Sequence, residues 1–254
     1  SWIFRATPNI CLGAMLAACF LIPVIVAGTF LGFAADLIAL VYFLALPRFF
    51  MALAGLDAGS SFGGMGSSRE MMIASVAEPA LIMALFAAAL PSGTTQAGAV
   101  AYDLAQKGWL TLSPGAVLAF VALLLVTLAE CARIPVDNPA THLELTMVHE
   151  AMILEYSGRS LALMEWASMI KLTFFLTLAA NLFFPWGMAL EMSAPALFLG
   201  ALSYLLKLGG LAIFLAFIET STAKLRLFRV PDFLGAAFAL ALLGLLSQGL
   251  YHLW

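Results

Sequence analysis

Seven stretches of about twenty apolar residues follow one another along this chain, at roughly 8–30, 33–54, 71–92, 114–132, 161–184, 195–219 and 231–253. A bilayer core about 30 Å thick is crossed by about 20 helical residues rising about 1.5 Å each, so every one of these runs has the length of a span. Backbone inside lipid must satisfy its own hydrogen bonds, and the period-two alternation that marks a barrel strand is absent. Each run is therefore expected to be a helix. The expected fold class is an all-α polytopic membrane protein: a single integral-membrane helical domain over 1–254 with about seven transmembrane helices. Composition agrees, because 10% charged residues is far below the roughly 25% of a soluble domain. The net charge of −3 gives no reason to expect nucleic acid as a partner. Cys11, Cys19 and Cys131 form no CxxC pair and suit packing rather than an iron–sulfur cluster.

Basic residues orient the bundle. With the N-terminus in the cytoplasm, Arg5, Arg48, Arg69, Arg133, Arg159, Lys224, Arg226 and Arg229 fall at cytoplasmic span ends. Lys107 falls outside, and Lys171 and Lys207 lie within spans. This is a strong positive-inside bias, and it needs an odd number of spans, which puts the C-terminus outside. Trp2, Trp109, Trp166, Trp186 and Trp254 sit near span ends, as interfacial tryptophans do. Three cytoplasmic loops follow, 55–70, 133–160 and 220–230. Chemistry or partner docking belongs on that side, since the outer loops carry only Asp103, Lys107 and Glu191. No internal repeat is visible, which weakens an inverted-repeat transporter.

The stretch from Glu130 to Arg159, ECARIPVDNPATHLELTMVHEAMILEYSGR, stands apart. It holds Glu130, Asp137, Glu144, Glu150 and Glu155, together with His142 and His149. Pro135 helps end the preceding span, and Asp137 or Asn138 can cap a new amphipathic helix with Pro139 in its first turn. His142 and His149, seven apart, would share one face. The plain reading is a solvated surface helix, but mere solubility would not select so few basic residues here, which favours a docking element. A metal site does not: there is no HExxH, and a histidine pair at that spacing is a weak signal. The Gly- and Ser-rich GLDAGSSFGGMGSSREM lacks the GK[ST] of a phosphate loop. Its glycines suit close backbone approach, or simply a flexible turn. In ETSTAKLRLFRVPDF, Lys224, Arg226 and Arg229 serve either topology or docking.

An ionisable residue within a span costs several kcal/mol unless it is paired or hydrated. Glu78, followed by Pro79, and Lys171 and Lys207 near mid-span are such residues, while Glu130 and Glu219 lie near cytoplasmic ends. Two lysines balance Glu78 and Glu130, which reads either as a pair of structural salt bridges or as a chain of proton-exchanging groups.

These residues resemble the membrane subunit shared by respiratory complex I (its H-type subunit) and the membrane-bound nickel–iron hydrogenases such as formate hydrogenlyase. The likeness is carried by LDAGSSFGGMGSSREMMIASVAEPAL at 56–81, ARIPVDNPATHLELTMVHEAMILEYSG at 132–158, LALMEWASMIKL at 161–172 and ETSTAKLRLFRVPDFLG at 219–235. The quinone-reducing branch resembles PFDLPEAESEL, whereas DNPATHLELTM is similar to the hydrogenase branch. Family members carry eight spans, so the resemblance implies a further helix upstream of Ser1. It also implies a membrane anchor for a peripheral redox arm, with electron transfer coupled to ion movement. Proton-coupling candidates on the matching positions are Glu78, Glu130, Glu144, Glu150, Glu155, Lys171, Lys207 and Glu219, the two lysines chosen on burial alone. Docking candidates are Arg69, Arg133, Asp137, His142, His149, Arg159, Arg226 and Arg229. No catalytic, cofactor or metal residue is expected in this chain. The nickel–iron centre and iron–sulfur clusters belong to partners: hydrogenase large and small subunits and iron–sulfur subunits, with antiporter-like subunits alongside in a prokaryotic inner membrane. Two alternatives stay open, a quinone-site subunit of a respiratory NADH dehydrogenase and a free-standing secondary transporter.

Overall fold

The computed structural model describes residues 1–27, 35–108, 112–137 and 147–252. Helices α1 (Trp2–Leu21), α2 (Leu37–Asp57) and α3 (Ser61–Ala89) come first, and a short 3₁₀ turn, Leu90–Ser92, follows. Then come α4 (Ala97–Lys107), α5 (Pro114–Glu130), α6 (His149–Ile153), α7 (Gly158–Phe183), α8 (Ala194–Ser221) and α9 (Val230–His252). Among the described residues there is no strand, only two isolated bridges, Val26 with Ala189 and Asp36 with Gln96. Among the described residues six helices are long and apolar enough to cross a bilayer: α1, α2, α3, α7, α8 and α9. The fourth expected span is α5, a shorter apolar helix of 17 residues.

Local chemistry sets several boundaries. Asp36 accepts a hydrogen bond from the Ile38 amide at 2.7 Å and starts α2. Ser113 caps α5 through the Ala116 amide at 3.1 Å, ahead of Pro114 at the first helical position. The first span differs from the expected 8–30, because α1 begins at Trp2 and stops at Leu21. Pro23 forces the residue before it out of the helical region, and Ile22 is extended. Pro8 lies inside α1 and has no amide hydrogen to give the Phe4 carbonyl. The Tyr156 hydroxyl donates to that carbonyl at 2.8 Å while its ring stacks on Phe4. A helix defect thus becomes a tie to a distant segment.

The expected loop 55–70 shrinks to a turn at 58–60, since α2 runs to Asp57 and α3 starts at Ser61. Ser60 caps α3 through the Gly63 amide at 3.1 Å, and Ser67 donates to the Ala52 carbonyl at 2.9 Å. These serines bond to backbone within and between helices, so a polar composition does not mean a loop here. A side chain at Gly66 would come within 2.9 Å of Ala151 and 3.0 Å of the Val148 carbonyl. The glycine lets α6 lie directly on α3. Helix α4 lies between the third and fourth expected spans, where an outer loop carrying Asp103 and Lys107 is expected.

Helix α3 is central and packs on α2, α5, α6 and α9, and α1 packs on α2 and α7. Without a hydrophobic drive between helices in lipid, close backbone approach carries much of the packing. A Cβ at Gly115 would stand 2.7 Å from the Gly244 carbonyl, so α5 and α9 cross almost in backbone contact. Helix α8 is peripheral: it rests on α7, and only Gly200 and Leu215 are buried in it.

One end of the bundle gathers the start of α1, the turn after α2, the end of α5, α6, and the link from α8 to α9. Its ties include Ser1 to Asp57, Arg69 to the Met147 carbonyl at 3.0 Å, and the Leu225 amide to the Pro135 carbonyl at 2.8 Å.

Candidate functional site

Arg48 enters the bundle from α2, in the turn after Pro47, and its side chain is only 3% exposed. A guanidinium that deep in an apolar helix must find carboxylates, and it finds three. Its Nη2 donates to both oxygens of Glu130 at 2.6 Å, and its Nη1 donates to Glu78 Oε1 at 2.7 Å. Its Nε lies 3.7 Å from Glu70 Oε1. Lys171 reaches in from α7, with Nζ 2.8 Å from Glu130 Oε2. Four helices (α2, α3, α5 and α7) thus supply two cations and three carboxylates. Fully ionised, the group carries one excess negative charge. Planar, forked arginine donors suit such a hub better than lysine does, because they bind several oxygens at fixed angles. Of the acids, Glu130 is sealed at 2% exposure, whereas Glu78 at 37% opens onto an apolar cleft between α2 and α3.

Toward the tied end the cluster adjoins a cavity of about 40 Å³, lined by Arg48, Glu70, Glu130, Lys171 and His149 among others. Next to it is an open pocket of about 220 Å³ that includes Arg133, Asp137, His149, Glu150 and Glu165. Asp137 is buried; it accepts from the Val148 and His149 amides at 3.1 and 3.3 Å and pairs with Lys224 at 3.3 Å. Burial holds the His149 imidazole below its ordinary range. Lys171 acts in the same direction, against Glu150 and Asp137. Among the described residues no group of three His, Cys, Asp or Glu side chains comes close enough to hold a metal ion.

The sequence candidates divide. Glu78, Glu130 and Lys171 meet in the cluster, and Glu150 lines the open pocket. Glu219 lies 3.8 Å from Arg133, at the end of α8. Lys207 is elsewhere, its buried amine without a hydrogen-bond partner among the described residues. The expected balance of two lysines with two glutamates therefore does not form: Arg48 takes the place given to Lys207. Glu155 is exposed, as are Arg159, Arg226 and Arg229, with Phe228 between the last two at 89% exposure. Arg69 is spent on the Met147 carbonyl and Asp137 on its internal bonds. His142 and Glu144 lie outside the described residues, as does the first part of the amphipathic helix expected after Pro139; in the described part, from Met147 on, the helix is only the five residues of α6.

Sequence reasoning missed Arg48 and Glu70. Arg48 was counted among topology-setting charges, although it falls about two turns inside its apolar run, a depth that already demands a counter-charge.

A family model described as NADH dehydrogenase matches residues 1–248. Formate hydrogenlyase subunit 4 of Escherichia coli (strain K12) is 35% identical over 246 residues, covering 97% of this chain and 79% of that protein. Hydrogenase-4 component C of the same organism is 35% identical over 242 residues, covering 95% and 75%. A chain in the structure of the membrane-bound sulfane sulfur reductase, an archaeal respiratory membrane complex, superposes with a TM-score of 0.81 at 18% identity. It covers 98% of this chain and 80% of that one, and shows the shared fold. Matched along nearly its whole length, this chain belongs to the NADH dehydrogenase family of complex I membrane subunits, on the branch that includes hydrogenase components.

Proposed function

We propose that this chain is the membrane-anchor and proton- or ion-coupling subunit of a complex-I-like membrane-bound nickel–iron hydrogenase of the formate hydrogenlyase type. The observation that carries the reading is the buried five-group cluster. Its charges come from four different helices, so a movement of any one helix shifts the proton affinity of groups held by the others. The names of its relatives support the assignment to a hydrogenase. In this reading the tied end faces the cytoplasm, with the N-terminus inside and the C-terminus outside. The exposed Arg159, Arg226 and Arg229 then offer a basic rim to the peripheral arm. The hydrogenase large and small subunits and their iron–sulfur partners hold the nickel–iron centre and the clusters. Antiporter-like subunits adjoin in the prokaryotic inner membrane, and this chain holds no cofactor.

The test has two parts. Deleting the subunit is expected to release the hydrogenase arm from membranes, seen by fractionation; an arm that stays bound refutes the anchor. In inverted vesicles, Glu130→Gln is expected to lower protons moved per hydrogen evolved at least about tenfold, and an unchanged ratio refutes the coupling role.

A further inference from the structure

We propose that His149 is the proton entry of this subunit: its ring stands in the wall between the open pocket and the cavity beside the ion-pair cluster, and it passes protons from one to the other. This rests on the coupling role proposed above.

The two cavities share three lining residues, Cys131, His149 and Ser168. Of these, only an imidazole both accepts and donates a proton near neutral pH. Outside the wall stand Glu150 on α6, Asp137 and Arg133 on the segment after α5, and Glu165 on α7. Inside stand Arg48 on α2, Glu70 on α3, Glu130 on α5 and Lys171 on α7. Glu165 is exposed, so the pocket reaches the protein surface. The inner cavity, at about 40 Å³, has room for a few waters, each needing roughly 10–15 Å³. No direct contact between His149 and Glu70 is therefore required.

The step balances. A proton from pocket water binds one ring nitrogen, giving imidazolium. The other nitrogen releases its proton through cavity water to the Glu70 carboxylate, whose hold on Arg48 is the longest in the cluster at 3.7 Å. A ring turn or tautomer exchange restores the start. Burial and then Lys171 disfavour the imidazolium, against Glu150 and Asp137. Nothing in the cluster itself opens to this pocket except through the shared wall. Glu78 opens to the apolar cleft on another side.

The experiment uses the whole complex in inverted vesicles and reads hydrogen evolution, proton movement and arm retention together. His149→Gln keeps a polar side chain that cannot relay, and proton movement per hydrogen is expected to fall about tenfold or more with the arm retained. His149→Ala is expected to fall likewise and to recover several-fold with added imidazole, which the open pocket can admit. Ser168→Leu fills the wall and leaves His149 in place, and it is expected to show the same loss. It decides the matter if the histidine variants fail to assemble. A wild-type proton ratio in His149→Gln, or in Ser168→Leu, overturns the relay; so does a loss in His149→Ala that imidazole leaves unchanged. If Glu130→Gln also keeps the wild-type ratio, the coupling role has failed and the relay with it. If only the Glu130 variant loses it, the relay alone has failed.

Discussion

Lys171 and Lys207 are the same residue on adjacent helices, each in the middle of an apolar run, yet their surroundings have almost nothing in common. Lys171 places its ammonium 2.8 Å from Glu130, in a group that Arg48 ties together. Lys207 has no hydrogen-bond partner among the described residues, on the helix that buries the fewest of its residues. Depth in a span therefore does not separate a lysine that belongs to a charge network from one that does not. The helix on which it sits does: α7 packs on α1, α5 and α8, whereas α8 rests on α7.

The largest effect expected from this contrast is at the hub. Arg48→Met leaves three carboxylates facing one another with Lys171 alone, and breaking a buried pair in this way costs about 3–5 kcal/mol. Thermal unfolding in mild detergent should show it as loss of most of the folded subunit; a midpoint within a few degrees of wild type would mean that the acids are not held as described. Next is Lys171→Glu, which adds a further negative charge beside Glu130 and should approach the Arg48 variant. Lys171→Met leaves Glu130 its two arginine bonds and should cost about 1–3 kcal/mol. A reversed order of these two would break the comparison. Lys207→Met removes an amine with no hydrogen-bond partner among the described residues, and relieving a buried polar group of that cost is near neutral or stabilising. Its midpoint should stay at or above that of wild type, and a fall as large as that of Lys171→Met would end the distinction.

The smallest effect concerns pH. Because the folded His149 lies below its ordinary value of 6.5, the unfolded chain takes up a proton first as pH falls, and the folded state loses stability from about 6.5 downward. His149→Gln lacks this dependence. The difference between the wild-type and variant unfolding midpoints should therefore change between pH 7.5 and 5.5, with wild type falling further. Parallel curves would place the ring in solvent.

The fold was legible in the sequence because lipid leaves the backbone so few choices, and apolar runs of the right length stood out at every span. The boundaries that moved did so for local reasons that compete with hydropathy. Pro23 stopped α1 early, and Ser60 began α3 inside a stretch whose composition resembled a loop. The site was half legible. Glu78, Glu130 and Lys171 are conspicuous because charge is costly in lipid. Their convergence on Arg48 depends on how four helices turn about their axes, and a string of letters does not contain that rotation. Arg48 looked like an end-of-helix charge; the packing makes it the centre.

The order in which the cluster's members leave the ribosome has a consequence for biogenesis. Arg48 on α2 and Glu78 on α3 are 30 residues apart, on consecutive helices. A nascent hairpin of those two helices can cross into the bilayer with its arginine already neutralised by its own acids. Glu130, arriving next on α5, meets that arginine, and Lys171 comes last on α7 and closes on Glu130. In that order the arginine need not enter lipid without an acid beside it.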